Sequence, residues 1–333
     1  MKPSRGAFLA AAAGTAAAAA AAPSLAALAS PADVAAATKG MTLTTLRTGT
    51  TDHLGVRTAK GIVDVAAAAA ALSIPNAPRT VEDVVAGRGD VAALPRIAAN
   101  APASAIRSEA SAQFGPLVSS PPKIICVGLN YSAHIAETGE KAPIAPNLFN
   151  KYNTTLNRHN GTIPVSGLPT KNFDYESELV FIVGKTAKNV SEADALNYIF
   201  GYTTGNDFTE RDSQNRVSQW MTGKSPDHFA PLGPWLVTAD QIPDPQTLQV
   251  QTFVNDETTP RQDMNTKQMI FSCAKILSYT SQYITLQPGD VFFTGTPSGV
   301  IVGYPKDKQV WLKPGDRVRT VISKLGELHF SLT

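Results

Sequence analysis

The stretch Asp174-Tyr175-Glu176-Ser177-Glu178-Leu179-Val180-Phe181-Ile182-Val183 sets the tightest limit on what this chain can become. Its apolar run reads as a buried strand, and the period of two puts Glu176 and Glu178 on the face shared by Val180 and Ile182, with Leu179, Phe181 and Val183 opposite. Two carboxylates this close on an apolar strand resist joint ionisation unless a cation lies between them. A third carboxylate, Asp207, follows in Gly205-Asn206-Asp207-Phe208-Thr209. Carboxylates with no His or Cys beside them suit a hard cation, Mg2+, Mn2+ or Ca2+, better than zinc. Taken alone, the pair also fits an edge strand whose acids face water.

The first residues are not read as fold. Met1 to Ala29 combines Lys2 and Arg5, an Ala-rich run from Ala7 to Ala22, Pro23, and the small-residue site Ala27-Leu28-Ala29, the layout of a signal peptide. Ser4-Arg5-Gly6-Ala7-Phe8-Leu9 resembles a twin-arginine export signal but has Gly6 in place of the second Arg. Residues 1–40 are therefore expected to be a leader and the protein to be exported to the periplasm. A low-complexity extension on a cytoplasmic protein is the alternative.

Of 333 residues, roughly 300 remain for folding, enough for one large domain or a small and a larger one. The net charge of +2, without a dense basic tract, excludes an electrostatic case for nucleic acid or membrane and favours a small-molecule partner. Cys126 and Cys273 both sit in apolar patterns and read as packed thiols, with a disulfide between them left open.

A small N-terminal α/β domain is expected over residues 41–115, with residues 98–122 as a Pro-, Ala- and Ser-rich linker, followed by a β-rich α+β domain over residues 116–333. Ser191 reads as the cap of a short helix, and Thr266 as the cap of a helix over residues 267–283. Pro-Gly-Asp occurs at Pro288 and again at Pro314, each time as a turn feeding a strand. Neither dinucleotide nor phosphate-loop glycine patterns are present.

His134 and Glu137 stand three residues apart, so a helical turn would bring them together as a general-base pair or as a plain surface ion pair. Lys224 lies in a Gly- and Pro-fixed loop, where it could stabilise an enolate or bind a carboxylate, or simply be solvated. Gly295 and Thr296 follow an apolar strand and offer a close backbone approach and a hydroxyl, or a turn. Arg211 and Asp212 would form a supporting ion pair near Asp207.

Five segments in this order resemble the fumarylacetoacetate hydrolase superfamily. They are Gly128-Leu129-Asn130-Tyr131 with His134 and Glu137; Asp174 to Leu179; Gly201-Tyr202 with Asn206 to Thr209 and Arg211-Asp212; Lys224 with Asp227, Pro231, Gly233 and Pro234; and Gly295 to Val300. The resemblance implies a mixed β-sandwich or β-roll catalytic domain and a homodimer. It further implies Mg2+ or Mn2+ on Glu176, Glu178 and Asp207, and small 2-oxo or β-diketo acids as substrates. His134 and Glu137 would activate water from a mobile lid, with Lys224 neutralising developing charge. Asn130, Tyr131, Arg211, Gly295 and Thr296 would contact substrate. Hydrolysis of a carbon-carbon bond in an acylpyruvate is the leading expectation; decarboxylation of an oxaloacetate-like acid, isomerisation of a 2-hydroxydienoate, and metal-dependent binding without catalysis are the alternatives. Departures from the pattern are Glu210, the late Gly303 after Val300, and residues 153–162, where Arg158 and His159 are candidates to line the pocket.

Overall fold

In the computed structural model, which describes residues 28–333, the apolar run becomes the middle of a ten-stranded sheet. Ser177–Val183 pairs antiparallel with Ile199–Asn206 on one side and with Val291–Phe293 on the other. Beyond Val291–Phe293 lie Ile124–Gly128, in the one parallel pairing of this sheet, and the edge strand Asn147–Lys151. Every residue from Ser177 to Val183 is buried, and the expected alternation holds: Val180 and Ile182 join one core, Leu179, Phe181 and Val183 the other. Phe181 stacks on Phe292 with ring centroids 4.6 Å apart, a pairing worth about 0.5–1.5 kcal/mol beyond simple burial.

The N-terminal strands continue this sheet. Thr42–Thr48 pairs with Leu236–Thr238 through Thr42 and Leu43, and Thr51–Thr58, Gly61–Asp64 and Ile106–Arg107 extend it outward. Helices Val65–Ala71, Val81–Val85 and Leu94–Asn100 cover one face with Val84, Leu94 and Ile97. The stretch read as a linker is packed, since Ile106–Arg107 is a strand and Leu117 and Val118 are buried.

The leader expectation lies mostly outside the described residues. Its last part is corrected: Pro31–Thr38 is a helix capped by Ser30, which accepts from the Asp33 N–H, and Val34 and Thr38 are buried against the core. Among the described residues, no helix is long and apolar enough to cross a membrane.

A five-stranded sheet, in the order Gln262–Asn265, Gln249–Val254, Arg317–Ile322, Gly326–Leu332 and Gly161–Ile163, packs beside the large one. Both Pro-Gly-Asp turns form as expected, with Gly289 at φ 94° and Gly315 at φ 95°, conformations that favour glycine. In each turn the Asp carboxylate accepts an N–H from three residues back, Gln287 to Asp290 and Lys313 to Asp316. The fold is thus α+β and rich in strand.

The long helix is shorter than expected. Thr266–Gln268 is a single 3-10 turn capped by Asn265, and the α-helix runs only over Cys273–Tyr283 with Ser272 as its cap. The backbone N–H groups of Ile270 and Phe271 are diverted to Asn130, to its carbonyl and its side-chain oxygen, which interrupts the helical ladder. After Ser191 only the 3-10 turn Ala195–Tyr198 forms. Cys126 and Cys273 are free and buried in separate cores, so no disulfide joins them.

Candidate metal centre and active site

The chain breaks strand geometry at Tyr175 and Glu176, between Phe173–Asp174 and Ser177–Val183, so Glu176 leaves the sheet that holds Glu178. Asn206 secures the break by accepting the Glu176 N–H at 3.0 Å, and the Asp207 N–H donates to the Glu176 carbonyl at 2.8 Å. The result brings oxygens of Glu176, Glu178 and Asp207 within 4.8 Å of one another, all buried. Beneath them, Ser177, Thr252, Gln262 and Thr320 form a closed hydroxyl and amide network linking the two sheets.

Cations surround this cluster unevenly. Lys224 Nζ lies 2.6 Å from Glu176 and 2.8 Å from Asp207; Arg211 Nη1 lies 2.7 Å from Glu176; Lys151 Nζ lies 2.5 Å from Asp207. Among the described residues Glu178 makes no ion pair and accepts only the Gly295 N–H, at 2.7 Å. Burial, then repulsion from Asp207 and Glu176, pushes its carboxyl well above the ordinary range. Burial also disfavours the Glu176 carboxylate, but Lys224 and Arg211 outweigh it and hold that group at about 2. An all-oxygen donor set with one uncompensated carboxylate fits a hard divalent cation held by Glu176, Glu178 and Asp207.

The short helix Ser132–Thr138 brings its first turn over the cluster. Glu137 Oε1 lies 2.8 Å from His134 Nδ1, and Glu137 Oε2 accepts the Gly299 N–H at 2.8 Å. A carboxylate can only accept here, so Nδ1 carries the proton and Nε2 is the basic nitrogen. His134, the three carboxylates, Arg211, Lys224 and Thr296 line one cavity of about 100 Å3. Arg211 is held by Asp174 at 2.9 Å, and its Nη2 is buried without a partner.

Three of the residues expected to contact substrate do not line this cavity. Asn130 is fully buried and its amide is taken up by Phe271 and Thr294, so it fastens the loop rather than facing the cavity. Tyr131 is fully buried off the cavity. Gly295 also lies off it and instead holds Glu178; at φ 97°, a Cβ there would meet that of Asn130 at 2.7 Å. Thr296 does line the cavity, but its hydroxyl donates to the Ser177 carbonyl and accepts from Gln262. Arg158 and His159 lie elsewhere, His159 packing edge-on to Phe114 at 5.2 Å. Glu210 is a helix cap, accepting the N–H groups of Ser213 and Asn172. Arg211 pairs with Asp174 and Glu176 rather than Asp212. Lys224 sits on the one-turn helix Met221–Lys224 rather than in a loop.

Two charged residues escaped sequence reasoning. Lys151 ends an edge strand with no motif around it, and its buried ammonium is evident only once the fold closes. Asp174 looked like part of the acidic motif, yet it accepts from Arg211, Ile301 N–H and Val302 N–H. The late glycine after Val300 has a reason here: the intervening backbone anchors Asp174, and Gly303 leaves room for Glu137.

A mixed-sheet fold with a buried acid triad beneath a His-Glu pair defines a class, and the family comparison agrees: residues 123–333 match the fumarylacetoacetate hydrolase C-terminal model. The chain belongs to the fumarylacetoacetate hydrolase family. It is 40% identical over 268 residues to the 2,4-didehydro-3-deoxy-L-rhamnonate hydrolase of Sphingomonas, covering 80% of this chain and 89% of that protein. It is also 40% identical to the mitochondrial oxaloacetate tautomerase fahd2 of Xenopus laevis, over 63% of this chain and 65% of that protein. Among solved structures, fumarylacetoacetate hydrolase from Exiguobacterium antarcticum superposes with a TM-score of 0.72 at 31% identity, covering 88% of this chain and 99% of that one.

Proposed function

We propose that this protein is a Mg2+- or Mn2+-dependent hydrolase that cleaves a carbon-carbon bond in a small acylpyruvate or related β-diketo acid. The observation that carries this reading is His134, held by Glu137, lining the same cavity as the acid triad. A base over a triad serves water attack, which tautomerisation does not require. The sugar-acid hydrolase at 40% identity supports the same class.

A divalent cation, when bound, supplies charge stabilisation for the enolate left by bond cleavage. The rest is done by side chains. Arg211 offers its unpartnered Nη2 to the substrate carboxylate, a charge-assisted contact. His134 Nε2 takes a proton from water, whose oxygen attacks the acyl carbonyl carbon; Glu137 holds the resulting imidazolium. The bond to the neighbouring carbon breaks, its electron pair stays on the pyruvate side, and His134 returns the proton there. The products are a carboxylic acid and pyruvate. Lys224, against Glu176 and Asp207, limits the build-up of negative charge.

The test is turnover of acylpyruvates and oxaloacetate by chelator-stripped protein with and without added Mg2+ or Mn2+. Metal-restored release of two acids is expected. Conversion of oxaloacetate alone, to its tautomer or with CO2 release, would replace the hydrolase reading.

A further inference from the structure

The cavity's positive charge is gathered around one carboxylate. Arg211 and Lys224, the only Lys or Arg lining it among the described residues, both touch Glu176, at 2.7 and 2.6 Å. Beside them the wall is aromatic: the Phe149 ring centre lies 5.4 Å from Lys224 Nζ, and Trp220 packs edge-on to Phe149 at 5.3 Å. Gly128 permits this wall, because a Cβ there would come 2.4 Å from the Trp220 ring. At the mouth the exposed carboxylate Glu140 joins the lining, whereas the neighbouring cations Lys141 and Arg216 do not. The whole space is about 100 Å3, against roughly 300–1,000 Å3 for a site that encloses a drug-sized ligand.

We infer that this site selects diketo acids with a single carboxylate and a short uncharged acyl tail, and that Trp220 and Glu140 reject substrates carrying a second carboxylate at the tail. The inference rests on the hydrolase reading and narrows its substrate class. A first carboxylate has the Arg211 guanidinium, which lines the cavity and keeps one nitrogen unpartnered among the described residues, to receive it. A second would be desolvated against Trp220 and would face Glu140, while the cations of the lining, Arg211 and Lys224, are already paired with Glu176.

The experiment compares acetylpyruvate, one carboxylate, with fumarylpyruvate, two, on the Mn2+-loaded protein. Calorimetric Kd and kcat/KM are both measured. The expected preference for acetylpyruvate is at least about tenfold in either quantity, the scale of a pocket mismatch. Glu140→Gln should narrow it, most clearly at low salt because Glu140 is exposed. Trp220→Arg should narrow it further or reverse it. Equal or tighter binding of fumarylpyruvate, or a ratio unmoved by both variants, overturns the inference. Cleavage of neither compound would count against the hydrolase reading alone, since the Kd ratio still decides selectivity.

Discussion

The carboxylate of Glu137 lies against the backbone of Gly303, so closely that a Cβ on that glycine would stand 2.5 Å from Glu137 Cδ. The same carboxylate holds His134 with one oxygen and is held by the Gly299 N–H with the other. The imidazole is therefore oriented through a loop 162 residues from Glu137 along the chain, and the Glu137 carboxylate occupies the space a side chain at residue 303 would take.

Gly303→Ala should displace Glu137 while costing little stability, because the atoms it meets are the end of a flexible side chain. The expected result is a fall in kcat toward the roughly 10²-fold that losing a general base causes, with Mn2+ affinity and thermal midpoint held. Steady-state kinetics beside a metal titration check it; weakened metal binding would place the damage in the triad instead.

Glu178→Gln separates the metal role from folding. In wild type a metal at about 100 times its Kd should add about 2.7 kcal/mol of stability. The amide keeps an oxygen for the Gly295 N–H and removes repulsion from Glu176 and Asp207. Thermal unfolding should then show an unchanged or higher midpoint without metal and no rise when Mn2+ is added. A retained metal-dependent rise would remove Glu178 from the ligand set.

Lys151→Met leaves Asp207 short of one buried cation. Breaking such a pair costs roughly 3–5 kcal/mol, and a metal ion on Asp207 should offset part of it. Denaturant unfolding is thus expected to show a larger loss in chelator than in Mn2+. Equal losses would mean that Lys151 acts outside the carboxylate cluster.

Acid sensitivity should come in part from His159. Burial first, and His329 second, hold its imidazole near 4 rather than 6.5. Between those values the unfolded chain binds the proton and the folded one does not, so stability is full above about pH 6.5 and is lost as pH falls toward 4. His159→Asn should flatten the urea midpoint across that window. An unchanged slope would assign the acid loss to other groups.

Much of this protein follows from local chemistry that a sequence displays. The alternation around Phe181 fixes two core faces, Pro-Gly-Asp dictates two turns, and a His and a Glu three residues apart meet on one helical turn whatever surrounds them. The acid triad was also legible, because buried like charges need a compensating partner wherever they occur. What tertiary structure alone decided is how donors and acceptors were shared out. Asn130 and Gly295 carried the same motif signal as the cavity residues, yet they fasten a loop and a carboxylate. Lys151 carried no signal and reached Asp207 across 56 residues. The Thr266 helix was cut short by the carbonyl and the side-chain oxygen of Asn130, the latter 141 residues from the N–H it accepts. Hydrogen bonds and ion pairs saturate, so which partner a polar group takes depends on every competitor the fold brings within 3 Å or so of it. Periodicity, which depends only on near neighbours, does not contain that information.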